Sequence, residues 1–237
     1  CDGQAKYKKL VLYVSNNGSN WTKATPEQSK KGDLISATAS DCVPNSFKIT
    51  YVTTSNFENV LVTRKQECFS RIIVDDTNKE ITIGTGDLYL GFNGVIGNHT
   101  ITCVLKEGLT SLSGLFKNCK RLNKVGDMYK YTRGVREMSE MFGGCSSLQE
   151  APNINTRECM HMAYMFYGCT MLRKVPVYQL NAAYTVNYMF YNCLNLNDSN
   201  CPKAYDGKYY WDYKKTFGNT DKCFYGTKIT IAPTGWK

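Results

Sequence analysis

Cysteine and histidine are the residues of this chain best suited to chemistry, and one of each lies close together. Only Met160 separates Cys159 from His161, so on an extended segment the two side chains would point the same way. A thiolate beside an imidazole can act as a nucleophile, but such a pair also needs a third group that orients the base, and none is identifiable. We therefore expect no catalytic residue in this chain, and we expect that it is not an enzyme.

The same residue types bear on metal and cofactor binding. The chain has eleven cysteines but only two histidines, and no C-x-x-C spacing occurs, whereas zinc sites are built from closely spaced pairs. The run Gly84-Thr85-Gly86 lies between two strand-like segments and is typical of a hairpin turn, not of a phosphate-binding loop. We expect no metal site and no cofactor.

Four of the cysteines fall at one position of a phrase that occurs four times. Each copy places apolar residues at i, i+3, i+4 and i+7, the spacing of a short helix. One copy cannot bury its own apolar stripe, so we expect the copies to stack. The copies begin at Leu112, Met138, Met162 and Val186. We predict that a buried structural ladder of reduced thiols is formed by Cys119, Cys145, Cys169 and Cys193.

The rest of each copy predicts how the helix ends. Glycine or asparagine precedes each repeated cysteine, and these residues commonly end helices in the left-handed conformation. A leucine follows three positions after each cysteine. We predict a helix, a tight turn and one short strand per copy, which is the plan of a leucine-rich-repeat solenoid.

The phrase M-x-x-M-F-x-G-C-x-x-L resembles the repeats of BspA-like leucine-rich-repeat bacterial surface proteins and related lipoproteins. The resemblance covers about residues 109–200. It implies a surface-displayed interaction protein, in a group associated with adhesion to host matrix, to other cells or to glycans. No catalytic residue comes with it.

The region before the repeats is rich in short strand-like runs separated by turn residues. Strands are predicted at 9–15, 46–53, 59–64, 71–75, 80–83 and 87–92. The predicted fold class is therefore α+β, with a small all-β, sandwich-like domain followed by a leucine-rich-repeat-like solenoid and a C-terminal cap. The predicted boundaries are 1–100 for the β-rich domain, 101–200 for the solenoid of four repeats and 201–237 for the cap. Closure of the last repeat is assigned to Tyr209, Tyr210, Trp211, Tyr213 and Phe217.

Tyrosines and basic residues in the repeats are the candidates for contact with a partner. Tyr164 and Tyr188 share one repeat position, next to the buried methionine, and we assign them mainly to packing. Tyr167 and Tyr191 share another position, which we predict to be exposed for contact. Basic residues cluster in the first copy and could attract an anionic glycan, although a solvated face is the commoner role for such a cluster. The predicted contact residues of this cluster are Lys117, Lys120, Arg121 and Lys124.

The first residues and the remaining cysteines give further expectations. The chain starts Cys1-Asp2-Gly3, as a bacterial lipoprotein does after removal of its signal, so Cys1 is a candidate lipid attachment point; a proteolytic boundary at a cysteine is the alternative. No apolar run reaches the roughly 18 residues that span a bilayer, so membrane contact is expected only through that anchor. Cys42 with Cys68 is the most plausible disulfide pair, and Cys201 with Cys223 could join the end of the solenoid, although spacing alone does not fix connectivity.

These observations predict a non-enzymatic binding or adhesion protein of the cell surface or extracellular space. Its partner would be a protein or a glycan on a host or neighbouring cell, recognised through a rigid repeat surface. Nucleic acid is not expected as a partner, because aromatic residues are not interleaved with the basic cluster. The alternative is a structural component of a larger assembly in a virion, such as a phage tail, fibre or capsid decoration protein.

Overall fold

The computed structural model of the chain describes residues 13–14, 22–23, 46–55, 58–92, 94–213 and 217–237. All strand pairings in these ranges are antiparallel, and short 3-10 segments cover Gln66–Cys68, Tyr129–Thr132, Asp198–Asn200 and Tyr210–Tyr213. The strands are β1 (Tyr13–Val14), β2 (Thr22–Lys23), β3 (Phe47–Thr53), β4 (Asn59–Thr63), β5 (Phe69–Val74), β6 (Lys79–Glu80), β7 (Leu88–Gly91), β8 (Gly97–Leu105) and β9 (Leu122–Val125).

The largest sheet has five strands in the order β6-β5-β8-β3-β9. Every second side chain of β3 is buried, as expected for a strand that covers a core with one face. Its pairing with β8 runs without a break from Phe47 opposite Cys103 to Thr53 opposite Gly97. The other edge of β3 pairs with β9, which belongs to the first repeat. A strand from the repeat region therefore completes the sheet.

A two-stranded ribbon of β4 and β7 lies against the first repeat. The hydroxyl of Thr63 donates a hydrogen bond to the carbonyl of Leu115 at 2.7 Å. The amide of Arg64 donates to the same carbonyl at 3.0 Å. Because Leu115 belongs to the first copy, these two bonds fasten the ribbon to the start of the repeats.

Backbone hydrogen bonds join each copy of the repeat to the next. In the first copy the amides of Leu112, Gly114 and Phe116 donate to carbonyls of the second copy at 2.8–2.9 Å. Equivalent amides of each later copy donate to the copy that follows it. Within the repeated phrase itself, bonds reach two or three residues back, as from the amide of Leu115 to the carbonyl of Leu112 at 3.1 Å. Each copy is therefore a run of tight turns held in a stack by its neighbours.

The predicted fold class is wrong. The described residues form antiparallel sheets with no α-helix, and they do not show a leucine-rich-repeat solenoid built of one helix and one strand per copy. A helix needs each amide to bond the carbonyl four residues back, but alternate amides here bond the next copy instead. Left-handed residues such as Asn118, with φ of 60°, also interrupt any helical turn. Apolar spacing of i, i+3, i+4 and i+7 therefore arises from stacked turns as well as from helices.

A column of phenylalanine rings forms the centre of the repeat region. Successive rings lie parallel with centroids 5.4–5.6 Å apart, and all are fully buried. Such stacks contribute by apolar burial and by ring contact. The rings belong to Phe116, Phe142, Phe166, Phe190 and Phe224.

Several strand predictions agree with the structure, and others do not. The predictions at 46–53, 59–64, 71–75 and 87–92 overlap β3, β4, β5 and β7. The prediction at 80–83 is wrong beyond Glu80, because the chain after β6 is irregular. Most of the prediction at 9–15 lies outside the described residues. The division at residues 100 and 200 stays a prediction. Among the described residues, the helical segments are all too short to cross a bilayer.

Candidate binding face

Five tyrosines from three successive copies lie in two adjacent columns, which we call the tyrosine face: Tyr164 and Tyr188 in one column, and Tyr167, Tyr191 and Tyr225 in the other. Ring centroids are 4.7 Å apart in the first column and 5.0 Å apart in the second, with nearly parallel planes. Tilted contacts of 5.8 and 5.5 Å join the columns. Because the rings cover one another's faces, this surface presents mainly ring edges and hydroxyls to solvent.

One of the two tyrosine positions has an unfavourable backbone conformation. Its φ is 67° at Gly114 in the first copy, where glycine adopts it freely. In the later copies φ is 58° at Glu140 and Tyr164, 57° at Tyr188 and 50° at Lys222. A left-handed conformation costs an L-residue roughly 1–2 kcal/mol, and such residues concentrate at functional sites. Large side chains therefore occupy this row at some cost in stability.

Charged side chains lie at both ends of the tyrosine face. At one end Lys117 forms an ion pair with Glu140 of the next copy, and both side chains are partly exposed. At the other end the ammonium of Lys222 lies 5.9 Å from the ring centroid of Tyr188 and 5.8 Å from that of Tyr225. These distances are within the range of cation–π attraction. The aromatic surface is thus bounded by an ion pair and by a cation.

A groove with a volume of about 560 Å³ runs along the tyrosine face. Its lining includes the ion pair at one end, Lys222 at the other end and every tyrosine of the face except Tyr225. Gly143 and Gly144 contribute backbone alone. Partial burial and the neighbouring Tyr188 raise the pKa of the Tyr164 hydroxyl, so this phenol stays a hydrogen-bond donor at neutral pH.

The structure brings together only part of the predicted contact surface. Tyr167, which is exposed, and Tyr191, which is half-buried, both lie on the tyrosine face, and Lys117 lies at its end. The other predicted basic residues do not line the groove. Arg121 pairs with Glu58, and Lys124 lies in β9 opposite Thr50 of β3. Lys120 is exposed.

Sequence reasoning missed a fifth copy and with it part of the site. Asn219 forms a parallel bridge with Thr185, and the amide of Phe190 donates to the carbonyl of Cys223 at 2.8 Å. Residues 219–227 therefore continue the stack. The sequence Lys-Cys-Phe-Tyr-Gly at 222–226 matches Tyr-Met-Phe-Tyr-Asn at 188–192 in its aromatic pair and its turn residue. This match identifies the fifth copy in the sequence, but it is hard to see because Thr227 stands where the other copies have cysteine.

The four repeated cysteines are buried free thiols. The Sγ of Cys145 donates a hydrogen bond to the carbonyl of Phe116 in the preceding copy at 3.0 Å, and the two later cysteines make the equivalent bond at 3.1 Å. Cys119 instead donates to the carbonyl of Val62 in β4 at 3.5 Å. Burial raises the pKa of all four thiols. A protonated, buried thiol is a poor nucleophile, so the role of these cysteines is structural.

Cys159 and His161 are not arranged as a nucleophilic pair. The Sγ of Cys159 is hydrogen-bonded to the backbone carbonyls of Arg136 and His161, at 3.6 and 3.5 Å, whereas the Nδ1 of His161 lies 3.3 Å from the hydroxyl of Thr185. Burial raises the pKa of Cys159 to about 12. Elsewhere in the described part of the chain, no three metal-ligating side chains lie together.

The remaining cysteines concern the predicted disulfides and the lipid anchor. Cys201 and Cys223 are both buried free thiols, so the predicted pair between them is wrong. Cys68 is also a buried free thiol, and its predicted partner Cys42 lies outside the described residues. Cys1 lies outside them as well, and its lipidation stays a prediction.

The stacked copies define a repeat protein with one aromatic face that recurs from copy to copy. The family described as "Mycoplasma protein of unknown function, DUF285" matches residues 100–228, which is more than half of the chain. The chain belongs to this family, which is associated with BspA-like surface repeat proteins. Comparison with curated proteins and with solved structures found no match.

Proposed function

We propose that the protein is a non-enzymatic, BspA-like binding protein of the cell surface or extracellular space. In this proposal it attaches to a protein or glycan on a host or neighbouring cell through the tyrosine face. The observation that carries the proposal is the presence of Tyr164 and Tyr188 at left-handed positions. Glycine would adopt that conformation at lower cost, so backbone stability does not explain tyrosine there. Stacking of the two rings at 4.7 Å offsets part of this cost, and in this proposal contact with a partner accounts for the rest.

The chemistry of the tyrosine face suits binding. Tyrosine offers a large apolar ring and a hydroxyl that both donates and accepts hydrogen bonds, with few rotatable bonds to immobilise. Stacked rings hold one another in place, as at the 4.7 Å contact between Tyr164 and Tyr188. A surface that is ordered before binding loses less entropy when the partner arrives. The ion pair and Lys222 at the two ends add polar contacts that select among partners.

The test is binding of the full, fluorescently labelled chain to cultured epithelial cells, measured by flow cytometry. The variant Tyr188→Gly with Tyr191→Ala removes one ring from each column, and its binding should fall at least tenfold. The matched control is Tyr89→Ala, because Tyr89 lies on β7 and is more than half exposed. The control should bind as the wild type does.

Two outcomes would overturn the proposal. One is that wild type and the double variant bind the cells equally, or that neither binds. The other is a fixed oligomer in sedimentation experiments that dissociates in the double variant, since the tyrosine face would then be an assembly surface. The melting temperature of each variant shows that the comparison is made between folded proteins.

A further inference from the structure

The longer column of the tyrosine face lacks one ring. Its position is occupied by Lys117 in the first copy, Gly143 in the second and tyrosine in the last three. Tyr191 stacks on one face of Tyr167, and among the described residues no ring stacks on the opposite face, which points toward the second copy. Tyr167 is 39% exposed. The groove therefore contains a face of the Tyr167 ring that no other described ring covers.

The φ angle does not require glycine at this position, since Gly143 is not among the residues with positive φ. An added Cβ would lie 3.3 Å from the backbone carbonyl oxygen of Tyr164 and 3.4 Å from that of Glu140, so a side chain fits here only with a small shift of the backbone. The equivalent residues of the other copies, such as Lys117 and Tyr191, carry long side chains on the same course of turns. The effect of glycine here is to leave the floor of the groove without a side chain.

The polar groups around the free face discriminate between kinds of ligand. Lys117 and Glu140 form an ion pair within the groove, so their charges balance. A wholly apolar ring would desolvate this pair without replacing its hydrogen bonds, which is costly. Beside Tyr167 an anion would be opposed by Glu140, and a cation by Lys117. The other cation of the groove, Lys222, lies at its far end, near the rings of Tyr188 and Tyr225. A neutral ring with hydroxyl groups meets none of these penalties, because its hydroxyls can both accept from the ammonium and donate to the carboxylate.

We infer that this groove binds one neutral pyranose ring of a glycan, with its apolar face on Tyr167 at the place of the missing ring. Lys117 and Glu140 hydrogen-bond the sugar hydroxyls. The combination of an apolar platform with a few directed polar groups is the usual design of a small-ligand site. The inference rests on the proposed function, because it names the class of partner that the tyrosine face recognises.

The experiment uses the full chain on a printed array of neutral, sialylated and sulfated glycans. Wild type should be retained by a subset of neutral glycans. Gly143→Tyr places the missing ring in the groove and should weaken that binding at least tenfold, and a cooperative melting transition shows that the variant is folded. Tyr167→Ala removes the platform and should weaken it to a similar degree. The matched control is Gly91→Tyr, because Gly91 is exposed on β7 and only the Asn59 side chain lies near its added Cβ.

Each other outcome overturns the inference in a distinguishable way. Retention only by sialylated or sulfated glycans would show an anionic ligand. Unchanged binding by a folded Gly143→Tyr protein would show that the sugar does not occupy this place. Binding to no glycan, combined with cell binding that depends on Tyr188 and Tyr191, would overturn the inference and leave the proposed function standing. Loss of both would overturn both.

Discussion

Two residues in each copy of the repeat adopt a left-handed conformation, but they differ in how well their side chains suit it. One is the position before the cysteine, with Asn118, Gly144, Gly168 and Asn192, which are the residue types that tolerate positive φ. The other carries glutamate, tyrosine, tyrosine and lysine after the first copy. The first position thus serves as an internal control for the second. Folding alone accounts for asparagine and glycine, whereas the charged and aromatic residues need another explanation.

This contrast predicts the effect of glycine at Glu140. Glu140→Gly relieves a strain of roughly 1–2 kcal/mol and loses an exposed ion pair worth about 0–1 kcal/mol. The free energy of unfolding should stay constant or rise by about 1 kcal/mol, measured by urea denaturation. Glu150→Gly is the control, because Glu150 also forms an exposed ion pair, with Lys174, but has no positive φ. Glycine there should destabilise by about 0.5–2 kcal/mol, because its backbone freedom costs about 0.5–1 kcal/mol and the lost ion pair about 0–1 kcal/mol. Equal destabilisation by both changes would show that Glu140 is not strained.

At the scale of elements, each turn of the stack places adjacent residues in different environments. Phe166 is fully buried between Phe142 and Phe190, with ring centroids 5.4 and 5.6 Å away. The next residue, Tyr167, lies on the tyrosine face. One residue therefore supplies the core and its neighbour supplies the groove. A change at Phe166 should therefore mainly affect stability, and a change at Tyr167 should mainly affect binding.

That separation is testable with two alanine variants. Phe166→Ala removes a fully buried ring and should lower the free energy of unfolding by about 3–5 kcal/mol. Tyr167→Ala removes a partly exposed ring with one stacked partner, and a loss of about 0.5–1.5 kcal/mol is expected. Urea denaturation at constant pH measures both. Similar losses in the two variants would contradict the assignment of one residue to the core and the other to the surface.

The cysteine ladder gives a second prediction for the stacked elements. All nine cysteines in the described part of the chain are buried free thiols. Iodoacetamide should therefore leave them unmodified in the native protein and label them after denaturation, because alkylation requires an accessible thiolate. Mass spectrometry of the labelled peptides identifies the modified residues. Rapid native labelling of Cys145 or Cys169 would show that the stack opens locally.

The sequence predicted the repeated positions better than their conformation. The shared phrase identified the residues that lie above one another, as with Tyr167 and Tyr191, whose rings stack at 5.0 Å. Periodicity alone does not report whether an amide bonds within its own turn or to the next copy, so helices were predicted where turns occur. The tyrosine face was divided between packing and contact, because the positive φ of Tyr164 and Tyr188 leaves no mark in the sequence. Gly143 drew no attention, since glycine is common in turns.

For the whole molecule, the central ring column is covered at both ends. At the first end Phe69 of β5 lies edge-on to Phe116, with centroids 6.3 Å apart. At the last end Phe224 contacts Trp236 at 6.2 Å and Trp211 at 5.9 Å. Repeat stacks need such non-repeating covers, because the outer face of a terminal copy is apolar. With both ends closed, a partner can reach the repeats only from the side, and the tyrosine face is a lateral surface that extends over the last three copies.

The buried thiols also govern how stability depends on pH. Burial raises the pKa of Cys159 to about 12, whereas an unfolded cysteine has a pKa of about 8.5. Between these values the unfolded chain has lost a proton that the folded chain keeps, so the unfolded state binds fewer protons. The contribution of such a thiol to stability is therefore constant below about pH 8 and falls above it, by about 1.4 kcal/mol per pH unit.

Because all nine described cysteines are buried, their contributions add to a steep alkaline transition. A domain of ordinary stability, about 5–15 kcal/mol, should unfold within one to two pH units above pH 9. Urea denaturation at pH 7, 8, 9 and 10 measures the slope, and a stability that is equal at pH 8 and pH 10 would refute it. Cys159→Ser provides the decisive comparison. Whatever this change does to stability at pH 7, the alkaline slope should become shallower by about 1.4 kcal/mol per pH unit. Serine does not titrate in this range, so the folded and unfolded chains differ by one bound proton fewer.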